Sequence, residues 1–251
     1  MALCLIKYFG GKNKLCNWII PQLGTHNTYL EPFGGAGNIL INKSESNIEI
    51  YNEISTPIYL LFNQVKYNLP QLKEVLSTIK NNKQTFLNYK ESNPINDFEI
   101  AVKEWVVRKL SFSGCGQTYA ANPQSEITNA IIKLDVISNR LKNVLLFNKN
   151  AFDLIPEYTN NKNALIYIDP PYVHSKRNNN SIKVYDTEMN DYEHIKLIEL
   201  IRYAKAKIVL SGYDNDVYQS LGWRYVKKST KINSSTLKIK PTKNEFLWFN
   251  Y

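Results

Sequence analysis

Apolar and polar positions divide the chain into two strand-and-helix regions separated by a long helical block. In the first region Tyr29-Leu30-Glu31 reads as the end of a strand feeding a glycine turn, and Asn38-Ile39-Leu40-Ile41 as the helix after it. Asn47-Ile48-Glu49-Ile50-Tyr51 predicts a second strand that closes on Asn52-Glu53. Thr56-Pro57 predicts a helix start, the threonine hydroxyl capping and the proline taking the first helical position. Ile58, Leu61, Phe62 and Val65 then share one face of that helix. From about residue 64 to 146 helical spacing dominates. Leu72, Val75, Leu76 and Ile79 make one stripe, and Phe98, Ala101, Val102 and Trp105 a second. Ile127, Ala130, Ile131, Leu134 and Leu141 make a third, and an irregular stretch, Ser111 to Tyr119, separates the last two. Strand patterning resumes at Val144-Leu145-Leu146-Phe147 and Ala164-Leu165-Ile166-Tyr167-Ile168. It recurs at Lys207-Ile208-Val209-Leu210, Arg224-Tyr225-Val226 and Phe246-Leu247-Trp248-Phe249, after a helix carrying Ile195, Ile198 and Ile201.

Strands and helices alternating on both sides of a helical block predict an α/β fold: an open Rossmann-like sheet with helices on both faces and an inserted helical subdomain. The expected division is 1–63 plus 147–251 for the sheet domain and 64–146 for the insertion. At 251 residues one domain with an insertion is favoured over two equal domains. No apolar run approaches the roughly 20 residues that cross a bilayer, and Met1 to Lys7 is too short for a signal peptide's apolar segment. Cys4, Cys16 and Cys115 have no metal-ligand spacing, so no metal is called for. Their odd number fits reduced thiols in a cytoplasmic protein.

The net charge of +9 is unevenly placed. Lys and Arg stand against Asp and Glu as 4 to 4 over residues 1–63 and 2 to 3 over 147–172, but 11 to 7 over 64–146 and 14 to 8 over 173–251. The excess surrounds the two motif regions instead of sitting on them, as expected if those segments grip a polyanion. A generally basic surface would give the same count.

The first motif is Glu31-Pro32-Phe33-Gly34-Gly35-Ala36-Gly37-Asn38. A glycine turn between strand and helix lets the main chain approach a nucleoside ligand that a Cβ would push away. Neither the third glycine of a dinucleotide fingerprint nor a phosphate-loop lysine is present. Glu53 stands 16 residues beyond Gly37 at the end of the next strand, where a carboxylate can accept hydrogen bonds from both hydroxyls of a ribose. The second motif, Asp169-Pro170-Pro171-Tyr172, follows an apolar strand. An aryl amine is a weak nucleophile because its lone pair is delocalised into the ring. The Asp169 carboxylate and the Pro170 carbonyl, accepting its two N–H bonds, would localise that pair, while the prolines hold both acceptors still. Tyr172 offers a flat face for a base. At the N-terminus Lys7-Tyr8-Phe9-Gly10-Gly11-Lys12 adds a glycine pair flanked by cations.

These segments, with Asn52-Glu53-Ile54 between them, resemble the DNA adenine methylase family over nearly the whole chain. Glu188-Met189, His194, Leu210-Ser211-Gly212-Tyr213 and Glu245-Phe246-Leu247-Trp248 extend the resemblance toward phage-type members. It implies an enzyme that moves a methyl group from S-adenosylmethionine to the exocyclic amine of adenine in double-stranded DNA. By the same resemblance Tyr8, Lys12, Phe33, Gly34, Gly35, Gly37, Glu53 and Asp169 line the cofactor site, and Asp169, Pro170, Pro171 and Tyr172 form the catalytic segment. Glu53 stands where the family more often has aspartate, and the acidic residue often found before the aromatic of Asn150-Ala151-Phe152 is absent unless Asp153 substitutes. The insertion becomes the target-recognition subdomain. Arg108, Lys109, Gln117 and Thr118 are expected at base edges or backbone, with Lys12, Lys176 and Arg177 as further DNA contacts. The alternative is that the loop around Gln117 only joins two helices. His174 and His194 are expected to be structural. A cognate restriction endonuclease is a further expected partner. Cytosine N4, an RNA amine or a non-catalytic DNA-binding module are the competing functions; aspartate, not serine, before Pro-Pro-Tyr favours adenine.

Overall fold

The computed structural model describes residues 2–8, 10–171, 189–231 and 242–251. Among them seven strands form one mixed sheet: β1 (Thr28–Glu31), β2 (Ile48–Asn52), β3 (Val144–Phe147), β4 (Ala164–Ile168), β5 (Lys207–Gly212), β6 (Arg224–Lys231) and β7 (Thr242–Phe249), in the order β3-β2-β1-β4-β5-β7-β6. The five strands from β3 to β5 run parallel, and β7 and β6 close the sheet antiparallel. All five residues of β4 are buried, which is why the central parallel strands read as continuous apolar runs and not as alternation. Side chains nonetheless divide by face. Tyr29, Tyr51, Leu165, Tyr167, Val209 and Leu247 join one core. Leu30, Ile50, Ile166, Ile168, Leu210 and Trp248 join the other.

The helices are α1 (Cys16–Ile19), α2 (Asn38–Asn42), α3 (Thr56–Tyr67), α4 (Leu69–Ser77), α5 (Lys83–Glu91), α6 (Asp97–Leu110), α7 (Gln124–Leu141), α8 (Ala151–Thr159), α9 (Asp191–Ile201) and α10 (Asp216–Gln219). The first core takes Ile58 and Leu61 of α3, Leu72 of α4, Trp105 of α6 and Leu134 of α7. The second takes Leu154 and Ile155 of α8 and Leu197 and Ile198 of α9. The expected open α/β sheet with helices on both faces is therefore present.

Two local expectations are corrected. Ser55, not Thr56, is the cap residue of α3, and the Thr56 hydroxyl instead donates to Asn148 Oδ1 at 3.0 Å. The buried stripe of α9 is His194, Leu197, Ile198 and Ile201, whereas Ile195 is 45% exposed. A histidine can take that core position because its Nδ1 lies 2.8 Å from the Tyr218 hydroxyl. This agrees with a structural reading of His194.

Candidate active site

The strand order reverses direction between β1 and β4: the chain leaves β1 for β2 on one side and β4 for β5 on the other. In open α/β sheets such a switch point leaves a crevice beyond the carboxyl ends of the two strands. Here those ends carry the Glu31 to Gly37 turn and Asp169, so the motifs separated in sequence face one cleft. The cleft measures about 1050 Å³ out to its open mouth. Asn52, fully buried at the end of β2, ties its rim together: the side-chain amide donates to the carbonyls of Pro32 and Lys149, and Oδ1 accepts from Lys149 N.

Local forces shape the glycine turn. Gly35 and Gly37 have φ of +50° and +60°, a conformation that side chains disfavour. A Cβ at Gly34 would stand 2.2 Å from the Tyr51 ring, so this glycine is required by packing beneath the turn. The Tyr51 hydroxyl donates to Gly35 O at 2.7 Å and holds the turn from below. The cap of α2 comes from outside the helix: Glu31 Oε2 accepts from Leu40 N at 3.0 Å and from the Tyr29 hydroxyl at 2.9 Å. Burial pushes the Glu31 carboxyl up to about 8, with those two donors pulling the other way.

Glu53 reaches back from the end of β2, Oε2 accepting from Gly35 N at 2.7 Å and Oε1 from Ser55 N at 2.8 Å. Phe33, Ile54 and Phe152 add apolar wall beside it. At the opposite end Lys12, 4% exposed, sends Nζ to Asp169 Oδ1 at 2.7 Å, Gly10 O at 3.3 Å and Glu245 Oε1 at 3.4 Å. Burial opposes the lysine's charge, but Asp169 and Glu245 outweigh it and hold its pKa well above the ordinary value. Burial raises Asp169, Lys12 draws it back and Glu245 pushes it up again, leaving it at about 6. Asp169 is thus an acceptor held in place by a fixed cation.

Of the residues expected at the cofactor site, Tyr8, Lys12, Phe33, Gly34, Gly35, Glu53 and Asp169 all line this cleft, with Pro170 and Pro171; Gly37 stands just behind as the cap residue of α2. Asp153 is exposed and outside the lining, so it does not take the place of the missing acidic residue; Asn150, Ala151 and Phe152 do line the cleft. Tyr172, His174, Lys176 and Arg177 lie outside the described residues.

The expected DNA contacts separate. Gln117 and Thr118 are exposed on the loop between α6 and α7, and Lys109 is half-buried. Lys12 is enclosed by its ion cluster and not open to a phosphate. Arg108 is also turned inward: Nε donates to Glu104 Oε1 at 2.7 Å, a guanidinium N–H donates to Gly114 O at 3.2 Å, and the group lies 5.2 Å from the Tyr8 ring centroid. It braces the cleft wall instead of facing a base edge.

Sequence reasoning missed Glu245, buried in β7 and holding Lys12 from the side opposite the loop. The signal was present in principle, since a carboxylate heading the apolar run Phe246-Leu247-Trp248-Phe249 needs a buried partner. It also missed Asn38, whose Oδ1 is buried in the lining without a hydrogen-bond partner among the described residues.

Two curated relatives cover most of the chain at low identity. Modification methylase StsI of Streptococcus sanguinis is 23% identical over 221 residues, covering 79% of this chain and 33% of that protein. The chain therefore spans only about a third of that relative's length. Type II methyltransferase M.CviBI of Paramecium bursaria Chlorella virus NC1A is 21% identical over 226 residues, covering 82% of this chain and 81% of that protein. The family described as D12 class N6 adenine-specific DNA methyltransferase matches residues 8–233, so its pattern runs through the glycine turn, Glu53, the helical block and Asp169. With sheet, cleft and family pattern all coinciding, the chain belongs to the D12 class N6 adenine-specific DNA methyltransferases.

Proposed function

We propose that the protein transfers a methyl group from S-adenosylmethionine to the exocyclic N6 amine of an adenine flipped out of double-stranded DNA. The observation that carries the reading is Asp169, fixed by Lys12 at the switch-point cleft that also holds the glycine turn and Glu53. The residues present suit the cofactor. Glu53 can accept from ribose hydroxyls, Phe152 and Ile54 provide apolar wall for a purine, and the unpartnered Asn38 Oδ1 is an acceptor for an ammonium group. When bound, S-adenosylmethionine supplies a methyl group activated by its sulfonium.

The chain's own residues would then do three things. The Asp169 carboxylate and the Pro170 carbonyl accept the two N–H bonds of the amine, returning its lone pair to nitrogen and aiming it. Lys12 keeps that carboxylate oriented and ionised. Once the new N–C bond has formed, the surplus proton on nitrogen passes to water or to Asp169. Tyr172 is proposed as the stacking face, and base flipping costs a few kcal/mol.

Residues 64–146 are proposed as the target-recognition subdomain, with Gln117 and Thr118 toward base edges and Lys109, Lys176 and Arg177 on the backbone. The relatives' names support a modification role, and a cognate restriction endonuclease is proposed as a partner. The test is labelled methyl transfer to DNA by the wild type and Asp169→Ala. The variant is expected to lose on the order of 10³-fold in turnover while DNA binding is kept; equal turnover removes Asp169 from the chemistry.

A further inference from the structure

The β6–β7 ribbon outruns the sheet that carries it. β5 ends at Gly212, opposite Phe246 of β7, yet β7 and β6 stay paired further, from Lys228 opposite Glu245 to Lys231 opposite Thr242. At about 3.3 Å per residue this carries the ribbon roughly 13 Å past the end of β5. It leaves by the carboxyl edge of the parallel strands, where the cleft opens, and β7 stands two strands from β4, roughly 10 Å to the side. Two side-chain bonds stiffen it beyond the sheet: Ser229 Oγ donates to Asn244 Oδ1 at 2.6 Å and Thr230 Oγ1 to Lys243 O at 3.1 Å. Its charge has one sign. From Arg224 to Asn244 the sequence has seven Lys and Arg and no Asp or Glu, and the first acid after them, Glu245, is buried against Lys12. Lys227 and Lys228 are exposed. Neighbours in a strand face opposite ways, so these two lie on opposite faces of the ribbon, with Lys243 on the Lys228 side. Lys228 Nζ stands 5.9 Å from the Trp18 ring centroid and Lys243 Nζ 4.6 Å from that of Tyr213, contacts that steady the stems and keep the charge. A charged edge strand also keeps a sheet from pairing with another chain, and β6 is such an edge. Charge of either sign would serve that end, whereas a run of one sign beside the cleft suits a polyanion.

We propose that the β6–β7 ribbon is a phosphate grip, in which Lys227, Lys228 and Lys243 hold the backbone of duplex DNA beside the cleft. The inference rests on the proposed function and deepens it, placing part of the hold on DNA on a strand pair outside the helical block. A duplex whose base enters the cleft has to cross the same edge of the sheet, so phosphates near the flipped nucleotide come within the ribbon's reach. Lysine suits the task, because its flexible stem follows a phosphate without reading a base.

The experiment measures the affinity of the full chain for a short DNA duplex of mixed sequence between about 50 and 200 mM salt. Each phosphate contact contributes close to one unit to the slope of log affinity against log salt. The double variant Lys227→Gln with Lys228→Gln is expected to make that slope shallower by about 2 and to weaken binding roughly tenfold or more at 0.1 M salt. Lys243→Gln alone should make it shallower by about 1, and this single change keeps the test open if the pair fails to fold. Arginine at both positions keeps the charge and should hold the slope within about half a unit. The same is expected when glutamine replaces Lys162 and Lys205, two exposed lysines near the amino ends of β4 and β5, on the opposite edge of the sheet. Melting temperatures should be kept throughout, as for other exposed positions. An unchanged slope in the ribbon's glutamine variants, an equal change in the opposite-edge control, or arginine variants that behave like the glutamine ones overturns the proposal. A loss seen with an RNA duplex and not with DNA overturns it as well. Wild-type protein that binds no DNA duplex defeats the proposed function instead, so the two failures are distinguishable.

Discussion

Two buried charge clusters stand on opposite terms with the fold. At the cleft one cation, Lys12, faces two acids, Asp169 and Glu245. Beside α2 one acid, Glu49, faces two cations, Lys43 and Arg140. Arg140 embraces Glu49 with two guanidinium nitrogens, at 2.5 and 2.8 Å, and spends another bond on Leu40 O at 2.7 Å. It thereby pins α7, a helix of the central block, against α2 and β2. Burial raises Glu49, but Arg140 and Lys43 outweigh it and the carboxyl ends below its ordinary value. Asp169 ends above its own. A cluster built to hold elements together lowers its acid; at the cleft burial outweighs the lysine and Asp169 stays raised. The contrast separates the two clusters by the state in which each leaves its acid and not by the presence of charge.

The largest effect should come from removing the cation at the cleft. Lys12→Met takes from the buried Asp169 and Glu245 the ammonium that both face, and about 3–5 kcal/mol of stability is expected to go at pH 7.5 in urea denaturation. Because Asp169, raised to about 6, can then take up a proton, that loss should shrink toward pH 5. A loss well under 1 kcal/mol would mean that the cleft cluster is already balanced. Arg140→Met should cost less, about 2 kcal/mol, because Lys43 still faces Glu49. Affinity for S-adenosylmethionine should be unchanged in that variant. A change of cofactor affinity as large as that of Lys12→Met would erase the distinction between the two clusters.

Much of this arrangement was legible along the chain, and the reasons are local. Parallel strands buried on both faces give unbroken apolar runs such as Ala164 to Ile168, and the two motifs are contiguous segments at the ends of β1 and β4. What escaped depended on pairing between distant segments. Glu245 meets Lys12 only because β7 runs antiparallel to β5, with Ser211 opposite Leu247 and Gly212 opposite Phe246. The inward turn of Arg108 follows from Glu104 one helical turn earlier and from the loop folding back so that Gly114 abuts Lys7. The first of these can be read from spacing, the second cannot. Ser55 and Thr56 are adjacent hydroxyls; Ser55 takes the cap position without a side-chain cap hydrogen bond, and the Thr56 hydroxyl is taken up by Asn148.

Glu31 and Glu49 sharpen the comparison further, because they sit in adjacent strands and depart from the ordinary carboxylate value in opposite directions. Glu49, lowered, contributes stability that is present above the unfolded-state value and lost as pH falls through its folded value. Glu31, raised from 4.5 to about 8 chiefly by burial, behaves in reverse. Between those two values the folded chain holds a proton that the unfolded chain has released, so stability falls as pH rises through that window. Glu31→Gln keeps an oxygen for the Leu40 N–H and the Tyr29 hydroxyl but has no proton to lose. The variant and the wild type are therefore expected to match near pH 5 and to separate by roughly 1–3 kcal/mol in the variant's favour by pH 8.5, as read from urea midpoints across the range. A gap that stays constant with pH would show that Glu31 is ionised in the folded protein. The N-terminus of α2 would then rest on a charged cap, and the contrast with Glu49 would reduce to one of partners alone.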